Sequence, residues 1–187
     1  MFNSKEYKII YVQKSSPSKS DDFVLAEIYK FFSVDKDGKN DFKYIIRAEL
    51  HKHNVFAVKF YAARDRKLES KYSRLTNRRD AAKVIITCAS VLPLLLEKYS
   101  NASFAFNSSR TIDIHSDKIE GPLNNQRFRI YRHVTDGMVG RNTFEHYEFP
   151  EISSYLLVNR KSCSNPDKSK EIIRDMFVDT YAFTTQI

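Results

Sequence analysis

Over its first third the chain carries short runs rich in Tyr, Ile, Val and Phe, each bounded by turn-forming residues, the pattern of strands with one buried face. Runs at 7–12, 23–34, 42–50 and 55–62 predict four strands. Ser15-Ser16-Pro17-Ser18-Lys19-Ser20-Asp21-Asp22 separates the first from the second, and Asp37-Gly38 fits a hairpin turn between the second and third. His53-Asn54 precedes the fourth. The middle of 23–34 can also be read as helix; strand is the preferred assignment, and it completes a four-stranded antiparallel meander.

The period then changes. Val84, Ile85, Cys88, Val91, Leu92, Leu95, Leu96 and Tyr99 recur at helical spacing, which predicts a helix lying deep against the sheet. Thr76-Asn77-Arg78-Arg79-Asp80 supplies its start, Asn77 capping and Asp80 returning the bond in the manner of a capping box. Pro93 is expected to bend the last turns. Residues 103–106 read as a short buried strand, and a mostly polar stretch to 126 reads as a long surface loop. In 127–139, Phe128, Tyr131, Val134 and Met138 share one helical face. Short strands at 144–149 and 154–158 flank Pro150. Asn165-Pro166-Asp167 then opens a C-terminal helix carrying Ile172, Ile173, Met176, Phe177 and Tyr181. The expected architecture is a single α+β domain over 1–187, an antiparallel sheet of about four N-terminal strands packed on a long buried helix, with further strands and helices beyond. Sheet followed by helix occurs twice, without a repeat in residue identity.

Composition adds little to that outline. With 187 residues, 42% hydrophobic and 29% charged, one compact core is expected, burying roughly 70% of the surface the unfolded chain exposes. Cys88 and Cys163 lie far apart in an apolar and a polar segment, which excludes a disulfide framework and a metal-ligand spacing and fits a reducing compartment. Charges near the N-terminus and the shortness of the apolar run 84–96 exclude a signal peptide and a membrane span, so a cytoplasmic location is expected.

Charge changes the picture more. The formal net charge is +8, favouring polyanionic partners. Within 64–79 the chain carries Arg64, Arg66, Lys67, Lys71, Arg74, Arg78 and Arg79 against Asp65 and Glu69, a net of +5 in sixteen residues. Free backbone N–H groups at the start of the buried helix, beside these guanidinium groups, would suit phosphate. Arg74, Arg78 and Arg79 are the candidate phosphate ligands, Lys67 and Lys71 add longer-range attraction, and Tyr72 can stack on an exposed base. The plainer reading is a solvated linker whose charges keep the chain soluble. Arg127, Arg129, Arg132, His133 and Arg141 form a second candidate cluster, with Arg129 and Arg132 as phosphate contacts if it shares a face with the first. An ordinary amphipathic surface helix explains those residues equally.

Other chemistry is weaker. His115, His133, His146, Asp113 and Glu145 are titratable, yet they form no recognisable catalytic constellation; a metal-independent ribonuclease would use His133 or His146 with Arg132. His51 and His53 would face one side of a strand but lack further metal ligands, and a solvent-facing pair is the simpler view. Asp35, Asp37 and Asp41 lack the remaining positions of a calcium loop. Gly137 and Gly140 fit no phosphate-loop pattern. No metal, cofactor or catalytic residue is therefore assigned.

Lys71-Tyr72-Ser73-Arg74-Leu75-Thr76-Asn77, Ala102-Ser103-Phe104-Ala105-Phe106, Arg127-Phe128-Arg129-Ile130-Tyr131-Arg132 and Phe144-Glu145-His146 resemble a family of uncharacterised proteins of Bacteroidetes bacteria over roughly residues 40–180. That resemblance implies a bacterial, cytoplasmic, single-domain protein and supplies no activity or ligand. More loosely, four strands followed by a helix are similar in topology to the PUR and Whirly types of single-stranded nucleic-acid-binding domain, from which the helix at 127–139 departs. The resulting expectation is a non-enzymatic nucleic-acid-binding protein, favouring single-stranded DNA or RNA through residues 64–79. The alternative is a protein-interaction component of a bacterial toxin-antitoxin or phage-defence system meeting an acidic partner, and the third reading is the ribonuclease. No membrane partner is expected, and an open sheet edge would permit a homodimer.

Overall fold

A computed structural model describes residues 6–34, 41–74, 80–108, 112–113, 118–121 and 123–181. The four N-terminal runs form β1 (Ile10–Ser15), β2 (Leu25–Val34), β3 (Asp41–His51) and β4 (Val55–Ala62) in an antiparallel meander. β2 and β3 pair without interruption from Leu25↔Leu50 to Val34↔Asp41. Asp37-Gly38 lies outside the described residues. β1 starts later than residue 7 and carries a register shift between Tyr11 and Gln13. Tyr7 is instead used before the strand: its N–H donates to Thr87 Oγ1 at 2.9 Å, and its ring stacks on Phe31 at 5.7 Å.

After β4 come two 3-10 turns, Ala63–Asp65 and Glu69–Tyr72, then α1 (Ala81–Ala89) and α2 (Val91–Lys98). The single helix expected to about Tyr99 is thus two. α1 begins at Ala81 after Asp80, whose side chain makes no capping bond; Asn77 lies outside the described residues. The helix axis breaks at Ser90, three residues before Pro93. The restart at Val91 puts Pro93 in the first turn of α2, where a missing N–H costs no helical bond. Ser90 closes α1, its N–H and hydroxyl both donating to the Ile86 carbonyl at 3.0 Å.

The helix pair returns the chain as β5 (Ser103–Asn107), which lies parallel to β4 with Val55 opposite Ser103. A two-residue pair, β6 (Ile112–Asp113) and β7 (Lys118–Ile119), falls within the stretch expected to be loop. α3 (Gln126–Met138) follows as expected, although Met138 is 49% exposed rather than on the buried face. β8 (Phe144–Phe149) and β9 (Ser154–Asn159) form a hairpin that joins the sheet through β9, giving the order β1-β2-β3-β4-β5-β9-β8. α4 (Pro166–Tyr181) ends the described chain, its first turn capped by Asn165 Oδ1 accepting from the Lys168 N–H at 3.1 Å.

Period-2 alternation splits the sheet into two faces. Tyr29, Phe31, Tyr44, Ile46, Phe56, Val58, Phe104, Phe106 and Leu157 meet α1, α2 and α3 in the main core. Phe31 and Tyr44 stack at 5.0 Å, and Phe56 lies 6.1 Å from Phe104. On the other face α4 covers only one end, where Ile173 packs with Val55, Leu156 and Val158. Two buried asparagines hold the joints. Asn125 caps α3 by accepting from the Phe128 N–H at 2.9 Å and donates to the Ser108 carbonyl at 2.8 Å. Asn159, with no exposed surface, donates to the Ser100 and Ala102 carbonyls, both at 3.2 Å. Among the described residues no helix is long and apolar enough to cross a membrane, and no three His, Cys, Asp or Glu residues gather as a metal site. His53 stands in the β3–β4 turn at φ 61°, not in a strand beside His51, so the two do not share a strand face.

Candidate nucleic-acid interface

The meander's second face is left without a helix over β2 and β3. Alternation places Ile28, Lys30 and Phe32 of β2 there, with Lys43, Ile45, Arg47 and Glu49 of β3 and Lys59 and Tyr61 of β4. Phe32 lies opposite Lys43, Lys30 opposite Ile45, Ile28 opposite Arg47, and Arg47 opposite Lys59. Between β2 and β3 apolar and cationic side chains therefore alternate across the strands as well as along them, whereas between β3 and β4 cation faces cation at Arg47 and Lys59. Phe32 and Lys43 are exposed, and Ile28, Lys30, Ile45, Arg47, Lys59 and Tyr61 are partly so.

Electrostatics at this face centre on one carboxylate. Glu49 is buried and bridges Arg47 Nε at 2.5 Å and Lys59 Nζ at 2.6 Å, so the desolvated acid is satisfied by two cations and fixes both against the sheet. Arg47 also lies 4.9 Å over the Phe23 ring. Beside Lys59, Tyr61 and Tyr72 meet edge to face at 5.5 Å, and Lys71 Nζ sits 5.4 Å from the first ring and 5.2 Å from the second. Burial pushes the Tyr72 hydroxyl up to about 12, which keeps it neutral at physiological pH.

The segment Glu69–Tyr72 borders this face because Arg127 holds it there. From α3 the Arg127 guanidinium donates to the carbonyls of Tyr72 and, at 3.0 Å, Arg74, and lies 5.5 Å from the Phe60 ring. Two carbonyls and an aromatic face satisfy a largely buried cation.

The residues singled out in the sequence are thereby sorted. Lys67 is exposed after β4, and Lys71 and Tyr72 stand at the border of the cationic face. Arg74 lies 3.6 Å from the buried Asp65, which it shares with Arg64. Arg78 and Arg79 fall outside the described residues. Arg129 donates to the Asn124 carbonyl at 2.6 Å, and Arg132 pairs with Glu148 of β8 at 3.1 Å, both on the helix-covered side of the sheet. The second cluster does not extend the first; only Arg127 reaches it, as an anchor. Lys30, Lys43, Arg47, Lys59, Phe32 and Tyr61 were missed, although the alternation that marks β2, β3 and β4 as strands also marks which residues share their second face.

His146 is poorly placed for acid-base chemistry. The His146 side chain is 2% exposed, its Nδ1 2.8 Å from the Tyr155 hydroxyl and 3.9 Å from Asp136 Oδ1. Burial, then the nearby Arg141, lowers its pKa, and the ring is sealed between β8 and α3, out of reach of a substrate. The Cys88 thiol is fully buried and pushed well above its ordinary value, which makes it inert as a nucleophile. Against this geometry, no family model, curated protein or solved structure matches the chain.

Proposed function

We propose that this protein binds single-stranded nucleic acid, without chemical turnover, across the open face of the β2-β3-β4 meander. One observation carries the reading: Lys30, Lys43, Arg47, Lys59 and Lys71 interleave with Phe32, Tyr61 and Tyr72 on or beside a surface whose central carboxylate is Glu49, with Asp21 at its edge near Arg47 and Lys59. Lys30, Lys43 and Lys71 contact phosphates, while Phe32 and Tyr61 offer flat surfaces to bases. Base stacking on an aromatic side chain contributes about 1–3 kcal/mol per base and tolerates any sequence. A duplex keeps its bases stacked internally and can use only the cations, so a single strand gains more here. Residues 64–79 enter as the border of the face through Lys71 and Tyr72.

Fluorescence anisotropy of labelled single- and double-stranded DNA and RNA with nuclease-treated protein, over a salt series, tests this. Tighter binding of single strands, weakening with salt and leaving the probe intact, is expected. Absence of binding at low salt, equal affinity for duplex, or cleavage of the probe would each overturn the reading.

A further inference from the structure

A second concavity lies at the far end of β4, where the β3–β4 turn, the approach to β5, the turn after β9 and the first turns of α4 converge. It measures about 480 Å³ and is lined by His53, Asn54, Asn101, Ser103, Lys161, Ser162, Ser169, Ile172 and Ile173. That volume falls in the range of small-molecule sites. Four features define its chemistry. Among the described residues no carboxylate lines it. The side chains of His53, Asn54, Asn101, Lys161 and Ser169 make no hydrogen bond or ion pair with a described residue, so their donors remain available. Ile172, 40% exposed, and the buried Ile173 supply an apolar wall.

The fourth feature is rigidity. Asn159 ties the walls together: its amide holds the Ser100 and Ala102 carbonyls, its Oδ1 accepts from the Lys161 N–H at 3.0 Å, and its carbonyl accepts from the Ser162 hydroxyl at 2.7 Å. On the opposite wall His53 and Asn54 both occupy left-handed backbone, φ 61° and 55°, the geometry of the tight turn that joins β3 to β4.

We infer that this cleft binds a nucleoside monophosphate. Lys161 faces the phosphate, with the Ser169 hydroxyl beside it; Asn54, Asn101 and His53 offer donors and acceptors to the sugar and base edge, and Ile172 packs on the base. β4 separates the cleft from Tyr61, at about 3.3 Å per residue over its length, so the site is distinct from the face proposed for nucleic-acid binding.

Isothermal titration calorimetry of the full chain with AMP, adenosine and inorganic phosphate tests it. Saturable one-to-one binding of AMP is expected, with adenosine at least about tenfold weaker and Lys161→Glu lowering AMP affinity at least about tenfold. Ser169→Leu, which fills the cleft with an apolar side chain beside the phosphate position, should abolish AMP binding with the circular dichroism spectrum unchanged. Lys30→Gln with Lys43→Gln should leave AMP binding intact, which separates this site from the sheet face. No heat with millimolar AMP, or AMP binding that survives both Lys161→Glu and Ser169→Leu, would overturn the inference.

Discussion

Replacing Lys30 and Lys43 together by Gln probes the open face where the fold has least at stake. Both ammonium groups project from the second face of β2 and β3, and neither pairs with a described residue. Their loss should change stability by no more than about 0.5 kcal/mol. The face carries Lys30, Lys43, Arg47, Lys59 and Lys71 against Glu49 and, at its edge, Asp21, so about three phosphates can be neutralised. For a single strand the dependence of log K on log salt has a slope of about −0.7 per phosphate, hence about −2.1 here, or ~20-fold weaker binding between 50 and 200 mM salt. With two cations removed the slope falls to about −0.7 and the same salt change costs only ~3-fold. Anisotropy of a labelled single strand over that salt range reads both slopes directly. A double variant whose slope equals that of the parent would refute the reasoning, because these lysines would then neutralise no phosphate.

Phe32→Ala should weaken single-strand binding by about 1–3 kcal/mol at fixed salt while leaving the salt slope unchanged, a split that separates stacking from charge. Arg127→Met leaves two carbonyls without their charged donor and should cost about 2–4 kcal/mol in urea unfolding, with Lys71 and Tyr72 displaced from the border; an unchanged midpoint would show that the anchor is dispensable. Burial holds both His51 and His146 below the ordinary imidazole value, so the unfolded chain takes up protons first on acidification. Their contribution is fully present above about pH 6.5 and is lost as pH falls through the depressed folded values. The urea midpoint should therefore drop between about pH 7 and 5 less steeply in His146→Phe than in the parent, and an equal drop would exclude this residue as a source.

Much of the fold was legible because its signals are local. Alternation in 23–34, 42–50 and 55–62 marks strands whatever their neighbours, the 3.6-residue spacing of Phe128, Tyr131 and Val134 marks α3, and Asn165-Pro166-Asp167 marks the start of α4. Where local signals compete, the reading was less secure. Eight apolar residues from Val84 to Tyr99 fit one helix, yet the chain breaks at Ser90, because Pro93 is accommodated only in the first turn of a new one.

The candidate site was less legible than the fold. Charge density drew attention to 64–79, since charge is counted along the chain, but whether a cation is available depends on what lies across from it in space. Arg74 meets Asp65, Arg132 meets Glu148, and Arg127 is spent on two carbonyls. Lys30 and Lys43 stand singly in two strands and form no run in the sequence, and only strand pairing brings them onto one face. The sequence by itself determined the elements and which residues share each strand's two faces, because side-chain direction follows from backbone period. Tertiary structure alone decided that β5 enters beside β4 in parallel, that α1, α2 and α3 all cover one face, and that α4 leaves most of β2 and β3 open on the other. Those choices rest on burying apolar surface between segments far apart in the chain, and no local pattern records which face a distant helix will cover.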